Sequence, residues 1–480
     1  MAQKIIGRSR EKKELLGLYD SGRAEFVAVY GRRRVGKTFL VRELFRDNMA
    51  FHHTGLSPAE LDESSLKEQQ IRAFYSTLLE YGAQLPSCPT NWIEAFDALR
   101  NLLKAQKQHK RLVVFIDELP WIDTPRSGFV TALEHFWNGW GAGQERLMLV
   151  VCGSATSWIS DKLINNHGGL YGRVTREIHL APFSLSECEA YYQANGIRMD
   201  RYDQLQNYMV MGGIPYYLSM LERDLSLAQN IDRLFFDRQA RLKPELERLF
   251  SSSFTNAADC MAVVRLLAKR REGFTRKEIA ETTRLPYGGG LSNTLRALEV
   301  SDFIATYIPY GQSGRNLRYR LTDAFTLFHL TFVNNRRNSN PNFWRDNLSS
   351  PQLTAWRGFS FESVCFAHVG QIKQALGIPG VYTEVSPWRS RQKTDGAQID
   401  MVIDRADRIV NLCEMKFSQS DFAIDHSYDA SLRKKTAVFE EETKCRKALH
   451  TTLITTYGLV RNEHAGRIKS LVTMDDLFAP

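Results

Sequence analysis

The sequence predicts an α/β protein that opens with a parallel sheet covered by helices. Apolar runs with little alternation, typical of strands buried on both faces, occur at residues 26–30, 112–116, 147–151 and 177–180. Segments long enough to form helices separate these runs. The length of 480 residues exceeds one ordinary core, at about 150 residues per domain, so we expect about three domains.

The composition indicates a folded chain, with 43% hydrophobic and 24% charged residues. No apolar run approaches the length of about 18 residues that a membrane span needs, and the N-terminal residues are charged, which predicts a cytoplasmic protein without membrane contact. The seven cysteines are scattered, so neither a disulfide framework nor a zinc ribbon is expected. The net charge of +9 favours a polyanionic partner.

Changes of pattern along the chain predict five segments. They are an α/β core at residues 1–184, a helical lid at 185–255, a compact basic unit at 256–333, a linker at 334–355 and an α/β domain at 356–480. The lid is interrupted by Gly212, Gly213 and Pro215, which no regular helix carries in its interior. The linker is assigned because it is rich in Asn, Ser and Pro and breaks both periodicities.

Residues 31–38 read Gly-Arg-Arg-Arg-Val-Gly-Lys-Thr, a complete G-x-x-x-x-G-K-[ST] between a predicted strand and a helix-forming run. In such a loop, backbone N–H groups and a helix N-terminus surround phosphate oxygens. We expect Lys37 to reach the outer phosphates as a catalytic group and Thr38 to offer its hydroxyl to Mg²⁺. The predicted nucleotide contacts in this loop are Gly31, Arg34, Val35, Gly36, Lys37, Thr38 and Phe39.

Two further polar positions follow predicted strands at the same edge of the sheet. Asp117 and Glu118 end the apolar strand that starts at residue 112. Asp117 is expected to hold the water shell of Mg²⁺, and Glu118 to orient and deprotonate the attacking water. Ser154 follows the next strand and is predicted to contact the γ-phosphate or that water. The sequence therefore predicts phosphoryl transfer from a bound nucleotide.

Residues 6 to about 225 resemble prokaryotic AAA+-related P-loop ATPases, the group that includes Orc-like and STAND-like proteins. The resemblance implies ATP as the nucleotide, whereas residue logic alone leaves ATP and GTP open. It also implies that Gly7 and Arg8 lie by the adenine and that Pro215, in a Gly-x-Pro turn, contacts the nucleotide. Arg173 is implied to act on nucleotide in its own or a neighbouring subunit, and the second case requires a homo-oligomer.

The basic middle unit reads as two helices followed by a hairpin, which resembles a winged helix. A T-x-x-E capping box opens the first helix at Thr275, and the second helix spans residues 292–299. Apolar residues form one stripe of the second helix and leave other faces free for base edges and phosphates. The predicted DNA contacts are Asn293, Thr294 and Arg296 in that helix and Arg315, Arg318 and Arg320 in the hairpin. The competing interpretation is a module for protein packing.

The last domain carries polar residues on two predicted neighbouring strands. Glu414 and Lys416 share one strand face, and Asp400 lies on the adjacent strand. Two carboxylates can bind Mg²⁺ against a scissile phosphate, and the lysine can orient or activate the hydrolytic water. A helical segment starting at Phe361 and Glu362 could add another acid. An ordinary amphipathic hairpin produces the same pattern, so a catalytic site and a purely structural hairpin both remain open interpretations.

Residues from about 356 to the C-terminus resemble the restriction-endonuclease-like PD-(D/E)xK fold, in the DUF234-type arrangement attached to ATPases. Asp400 follows isoleucine rather than proline, so the short PD element is absent. The complete prediction is a Mg²⁺-dependent ATPase that couples its nucleotide state to DNA binding or processing. The alternative is a nucleotide-gated switch or scaffold whose nuclease-like domain is inactive.

Overall fold

A computed structural model of the protein describes residues 4–57, 62, 65–154, 156–164, 170, 172–334, 340–392 and 396–480. The chain divides into two compact units. The first contains the residues up to Pro182 together with Val300–Asp302, and the second contains Phe183–Glu299 and Phe303–Pro480. Among the described residues, no helix is both long enough and apolar enough to cross a lipid bilayer.

The first unit is built from a parallel sheet and helices that alternate along the chain. Its elements are α1 (Ser9–Tyr19), β1 (Glu25–Tyr30), α2 (Lys37–Leu44), β2 (Met49–Thr54), α3 (Leu66–Glu80), α4 (Trp92–Ala105), β3 (Leu112–Asp117), α5 (Leu119–Ile122), α6 (Phe129–Gly139), β4 (Leu147–Gly153), α7 (Thr156–Ile159) and β5 (Arg176–His179).

Within the described residues, the sheet of this unit has five parallel strands in the order β2-β3-β4-β1-β5. Every residue of β3 and β4 is buried, because helices cover both faces of the central strands. The parallel α/β architecture predicted from the four apolar runs is confirmed.

The sheet also contains β2, a strand that the sequence analysis did not predict. Its residues Ala50, Phe51 and His53 are buried although the strand carries two histidines. The Nδ1 atom of His53 lies 2.9 Å from Thr77 Oγ1, and its ring contacts Phe74 edge-on. Burial lowers the pKa of His53 to about 3, so this histidine is neutral and packs as a core residue.

The second unit begins with helices that correspond to the predicted lid. They are α8 (Leu185–Ala194), α9 (Arg201–Met211), α10 (Pro215–Leu218), α11 (Leu227–Ile231) and α12 (Glu245–Ser253). Gly212 ends α9 in the left-handed region at φ 65°, and Pro215 opens α10 at its first position. The predicted break between two helices is therefore confirmed.

Residues 257–321 are named here the three-helix segment, and all of them except Val300–Asp302 belong to the second unit. It contains α13 (Ala257–Leu267), β6 (Phe274–Thr275), α14 (Arg276–Thr283), α15 (Gly289–Val300), β7 (Ile304–Tyr307) and β8 (Arg318–Leu321). The strands pair antiparallel in the order β6-β8-β7. Thr275 and Glu278 form the predicted capping box at the start of α14, and α15 begins three residues earlier than expected.

The predicted linker differs from the structure. Residues 335–339 of that prediction lie outside the described residues. Beyond them, the segment forms α17 (Phe343–Asp346) and the start of α18 (Pro351–Ala367), following α16 (Ala324–Phe328). Phe343 and Trp344 are buried against Phe332, and the backbone N–H of Trp344 donates to Asp232 at 2.6 Å. Two aromatic side chains give this polar segment enough apolar surface to pack.

The C-terminal part completes the second unit with a mixed sheet. It contains α19 (Val369–Ala375), β9 (Thr383–Arg389), β10 (Gln398–Arg405), β11 (Ile409–Lys416), α20 (His426–Thr443), β12 (Ala448–Thr455), β13 (Ser470–Val472) and α21 (Met474–Leu477). The strand order is β13-β12-β11-β10-β9, antiparallel from β9 to β11 and parallel from β11 to β13. The two strands predicted to be neighbours, β10 and β11, pair directly.

Candidate functional site

Three loops with predicted functional residues leave the sheet of the first unit at one edge. The loop of residues 31–36 follows β1, Asp117 ends β3, and Ser154 follows β4. In the sheet β4 lies between β3 and β1. The carboxyl ends of parallel strands share an edge, so the fold brings these positions together.

The phosphate loop holds Lys37 in place through its own backbone. Lys37 is buried, and its Nζ atom donates to the carbonyl oxygens of Gly31 at 2.8 Å and Arg32 at 3.0 Å. Gly36 precedes α2 with φ 91°, so the N-terminus of α2 starts directly at the loop. The helix therefore presents its free N–H groups and its positive dipole end beside the lysine.

Gly31 has a second role that the motif does not reveal. Its φ is 140°, and a Cβ atom at this position would lie 2.4 Å from the carbonyl oxygen of Leu180. Leu180 is itself held to the sheet, since its N–H donates to Tyr30 at 2.8 Å. Glycine is required here because the loop passes close to the backbone that follows β5.

Thr38 and Asp117 are in direct contact. The hydroxyl of Thr38 donates to Asp117 Oδ2 at 2.6 Å, and Asp117 Oδ1 accepts the backbone N–H of Glu118 at 2.9 Å. Asp117 is buried, with 2% of its surface exposed. A hydroxyl and a carboxylate side by side form the all-oxygen donor pair that Mg²⁺ prefers. The residues present therefore fit the predicted cation.

Glu118 and Ser154 are also brought together. Glu118 has φ 52°, and its Oε2 atom accepts from Ser154 N at 3.0 Å and from Ser154 Oγ at 2.9 Å. Burial, and to a lesser extent the charge of Asp117, raise the pKa of Glu118 above its usual value. The two hydrogen bonds from Ser154 act in the opposite direction and favour the ionised carboxylate.

The N-terminal Gly7-Arg8 pair contacts the phosphate loop. Gly7 and Arg8 both have positive φ, at 64° and 56°, and Arg8 is buried. An Nη2 atom of Arg8 donates to the carbonyl oxygen of Val35 at 3.2 Å. Two residues 27 positions apart in the sequence thus meet at the loop.

Residues 6–221 match the profile of a family described as an ATPase domain predominantly from Archaea. This stretch of the chain is therefore similar to P-loop ATPase domains. The match covers the phosphate loop, the Asp117-Glu118 pair and Ser154 of this ATPase domain, and it supports binding and hydrolysis of ATP.

Comparisons over longer stretches give distant relatives. An uncharacterized protein of Methanocaldococcus jannaschii is 20% identical over 415 residues, which cover 83% of this chain and 84% of that protein. A Walker-type ATPase of Pyrococcus abyssi is 17% identical with a TM-score of 0.48, covering 68% of this chain and 96% of that one. The ORC2 protein of Aeropyrum pernix, solved with ADPNP and ADP, is 15% identical with a TM-score of 0.44, covering 73% and 97%.

Two arginines lie at or just before the start of β5. Arg173 is exposed. Arg176 forms an ion pair with Glu14 of α1. Pro215 belongs to the second unit, where it opens α10.

The second unit contains a cluster of acidic and basic side chains, named here the carboxylate cluster. It comprises Glu362 from α18, Asp400 from β10, Glu414 and Lys416 from β11, and Tyr428 and Lys435 from α20. Asp400 Oδ2 accepts the backbone N–H of Met415 at 2.9 Å, which ties β10 to β11 at this point. Asp400, Glu414 and Lys416, with Glu362 as a further acid, lie near enough to influence one another's charge.

Glu414 is the most deeply buried acid of the carboxylate cluster, with 2% of its surface exposed. Its Oε2 atom accepts from Lys435 Nζ at 2.5 Å and from the Tyr428 hydroxyl at 3.4 Å. Its Oε1 atom is buried without a hydrogen-bond partner in the described part of the chain. Burial and the neighbouring charge of Asp400 raise the pKa of Glu414 to about 7, and the same two causes raise the pKa of Glu362 to about 7.

Lys435 and Tyr428 are functional candidates that the sequence analysis missed. Both lie on α20, and the ring of Tyr428 also lies under Lys416 Nζ at 4.9 Å from the ring centroid. Their spacing of seven residues places them on one face of a helix, but nothing in the sequence indicates which strand that face covers.

Within the described residues, no three His, Cys, Asp or Glu side chains are grouped so as to enclose a metal ion by themselves.

The predicted DNA contacts divide into two groups. Asn293 and Arg296 on α15 are exposed, as is Arg315 between β7 and β8. Arg318 is partly exposed and donates to the carbonyl oxygen of Gly273 at 3.3 Å. These four positions remain on the surface of the three-helix segment.

The structure differs from the predicted DNA contacts at Thr294 and Arg320. Thr294 has 1% of its surface exposed, donates to the Gly290 carbonyl at 3.0 Å and accepts from Asn256 at 2.6 Å, so it faces the interior. The Arg320 guanidinium stacks on Phe366 of α18, 3.9 Å from the ring centroid, and burial lowers its pKa. Thr294 is therefore not available to a nucleic acid, whereas Arg320 is partly exposed and its guanidinium is held on Phe366.

Proposed function

We propose that the ATPase domain hydrolyses ATP in a Mg²⁺-dependent reaction with Glu118 as the general base. The observation that carries this proposal is the pair of contacts at the carboxyl ends of β3 and β4. Thr38 meets Asp117 at 2.6 Å, and Ser154 holds Glu118 through two hydrogen bonds. The acid assigned to the cation and the acid assigned to the water thus have separate partners.

Each residue has a defined task in this proposal. Thr38 and Asp117 hold Mg²⁺, which when bound neutralises charge on the phosphates. Lys37 leaves its carbonyl partners to contact the outer phosphates, and Glu118 accepts a proton from the attacking water. Ser154 orients Glu118 and favours its ionised form. Gly7 and Arg8 shape the nucleotide side of the loop, because Arg8 is bonded to Val35.

Exchange of Glu118 for Gln tests the assignment of the base. The variant keeps the size and the hydrogen-bonding capacity of the side chain but cannot accept a proton. We expect kcat for ATP to fall by about 10²–10⁴-fold while binding of a fluorescent ATP analogue stays close to that of the native protein. Lys37→Ala is the comparison variant and should lose binding itself. Unchanged turnover by Glu118→Gln would remove Glu118 from the base role.

We also propose Arg173 as a residue that acts on ATP across a subunit contact and Pro215 as a contact from the lid. The exposure of Arg173 supports the first assignment. Mixing Arg173→Ala subunits with Lys37→Ala subunits should restore turnover above that of either variant alone, since each mixed contact pairs one intact loop with one intact arginine. A mixture that adds nothing would place Arg173 in its own subunit or outside catalysis.

The second proposed function is cation-dependent cleavage of DNA by the carboxylate cluster, with DNA held by a winged helix. The buried, unpartnered Oε1 atom of Glu414 carries this proposal, because a buried carboxylate oxygen without a donor is costly unless a cation or a proton occupies it. The strand order of the C-terminal sheet and the insertion of α20 before β12 support a restriction-endonuclease-like fold. The order of helices and strands in the three-helix segment supports the winged helix.

The chemistry of the carboxylate cluster suits this task. Asp400 and Glu414 would supply oxygen ligands for Mg²⁺, which proteins usually bind through only one or two carboxylates. Lys416 lies beside them to orient the hydrolytic water. The exposed Asn293, Arg296 and Arg315 provide groove and phosphate contacts.

Labelled linear and circular DNA, incubated with the protein in Mg²⁺ or Mn²⁺ with and without ATP, tests cleavage. Asp400→Asn should abolish product formation and leave ATP hydrolysis intact, whereas Lys37→Ala reports whether ATP controls cutting. Intact DNA in every condition, together with normal ATP turnover, would favour the switch or scaffold in which the C-terminal domain only binds.

A further inference from the structure

The carboxylate cluster is contacted by a basic residue from the three-helix segment. Arg271 lies between α13 and β6, and its Nη1 atom donates to Glu362 Oε1 at 2.7 Å. Its guanidinium also stacks on Phe359, 3.6 Å from the ring centroid. Phe359 and Glu362 are one turn apart on α18, so one helix holds the guanidinium by its charge and by its flat face.

This contact belongs to a wider docking of the three-helix segment on the C-terminal part of the same unit. Glu272, the next residue, pairs with Arg389 of β9 at 2.6 Å. The backbone N–H of Tyr310 donates to Pro387 at 3.3 Å, and its ring packs on Phe439 at 5.1 Å between centroids. Arg271 is therefore fixed at the carboxylate cluster by neighbours that do not themselves touch its acids.

We infer that Arg271, while it is paired with Glu362, weakens the binding of a divalent cation at the neighbouring Asp400 and Glu414. The inference rests on the proposed cation-dependent function of the carboxylate cluster. While the three-helix segment is docked, the guanidinium occupies one carboxylate oxygen and places a positive charge beside the acids that would bind the cation. Like charges repel, so the docked segment weakens cation uptake.

The same geometry couples the carboxylate cluster to a polyanionic ligand. Phosphate groups, like carboxylates, accept strong charge-assisted hydrogen bonds from guanidinium. A nucleic acid that draws Arg271 away from Glu362 removes this positive charge from the carboxylate cluster and so favours the cation. Because linkage is reciprocal, a cation bound at the cluster also releases Arg271 for phosphate.

Titration of the full-length protein with Mn²⁺ alone, followed by electron paramagnetic resonance of the free ion, tests the inference without any activity measurement. Binding at the carboxylate cluster is the part that Asp400→Asn removes. Arg271→Gln deletes the charge but keeps a long polar side chain, and Arg271→Lys keeps the charge. Arg389→Gln is the matched control, because it breaks the adjacent ion pair of the same docking contact without touching the acids.

We expect Arg271→Gln to tighten the Asp400-dependent binding of Mn²⁺ by about three- to tenfold, as the loss of one partly solvated charge near the cation predicts. Arg271→Lys and Arg389→Gln should stay within about twofold of the native protein. If Arg271→Gln and the native protein bind Mn²⁺ with equal affinity, the inference is overturned and the proposed site still stands. The same holds if Arg389→Gln gains as much Mn²⁺ affinity as Arg271→Gln. Absence of Asp400-dependent binding in all variants overturns the site and the inference together.

Discussion

Alanine exchange at the two glycines of the phosphate loop should separate a folding role from a binding role. Gly31 has φ 140°, and an added Cβ would meet the Leu180 carbonyl oxygen at 2.4 Å. That carbonyl cannot easily move, because the Leu180 N–H is bonded to Tyr30 in the sheet. Gly36 has φ 91°, but an added Cβ would have no atom within 4 Å. Both exchanges therefore strain the backbone, and only Gly31→Ala also creates a clash.

The two costs can be worked out separately. A non-glycine residue costs about 1–2 kcal/mol near the left-handed helical region of Gly36 and about 1–3 kcal/mol at the φ of Gly31, and forcing an atom into a packed region costs about 1–3 kcal/mol more. Gly31→Ala should lower the free energy of unfolding by about 4 kcal/mol, and Gly36→Ala by about 1–2 kcal/mol. At roughly 2–4 °C per kcal/mol for a unit of this size, the midpoints should fall by about 8–16 °C and about 2–8 °C.

Thermal unfolding of the nucleotide-free proteins, followed by circular dichroism, measures the first effect. Binding of a fluorescent ATP analogue at low temperature measures the second, and Gly36→Ala should lose at least about tenfold in affinity because its Cβ enters the loop that surrounds the phosphates. Equal unfolding midpoints for the two variants would refute the reasoning, since the contact between residue 31 and the backbone after β5 would then carry no free energy.

Three further results are expected. Ser154→Ala removes a hydrogen bond that lowers the pKa of Glu118, so the acid limb of the kcat profile should move to higher pH and kcat at neutral pH should fall about tenfold; an unmoved limb would contradict the contact. Burial and the charge of Asp400 raise the pKa of Glu414 to about 7 in the folded protein, so the folded state binds more protons than the unfolded chain below this pH, and stability falls as the pH rises toward it. In the presence of a metal chelator, Glu414→Gln should reduce the decrease in the free energy of unfolding by about 1–3 kcal/mol, as unfolding midpoints at about pH 5 and pH 8 would show. A pH dependence equal to that of the native protein would show that another group titrates. Arg296→Ala should weaken DNA binding and reduce the salt slope by about 1, whereas Arg320→Ala should lower the unfolding midpoint, as fluorescence anisotropy and calorimetry would report; a loss of DNA affinity confined to Arg320→Ala would reverse this assignment.

Local sequence patterns predicted the features that depend on neighbouring residues. The apolar runs of β1, β3, β4 and β5, the loop after β1 and the capping box at Thr275 involve only short stretches of chain. The fold then follows from general rules, because parallel strands bring their carboxyl ends to one edge of the sheet. Thr38, Asp117, Glu118 and Ser154 were predicted in this way and meet as expected.

The orientation of amphipathic elements was less predictable. α15 has polar residues on more than one face, and the side that carries Thr294 packs against Asn256 near the start of α13. In β8, Arg320 faces α18 because Phe366 offers a flat apolar surface for its guanidinium. The sequence shows that these residues are polar, but only the packing of other elements decides whether a polar residue reaches solvent.

The sequence by itself determined the α/β class, the phosphate loop, the strand ends that carry its catalytic candidates and the pairing of Asp400 with Glu414. Each of these features depends on residue types at short spacing in the sequence or on two adjacent strands. Only the tertiary structure decided that Leu180 requires a glycine at position 31, that Lys435 reaches Glu414 and that Arg271 reaches Glu362. Those contacts join residues 21 to 149 positions apart, and their distances depend on how whole helices and strands pack, which no local pattern specifies.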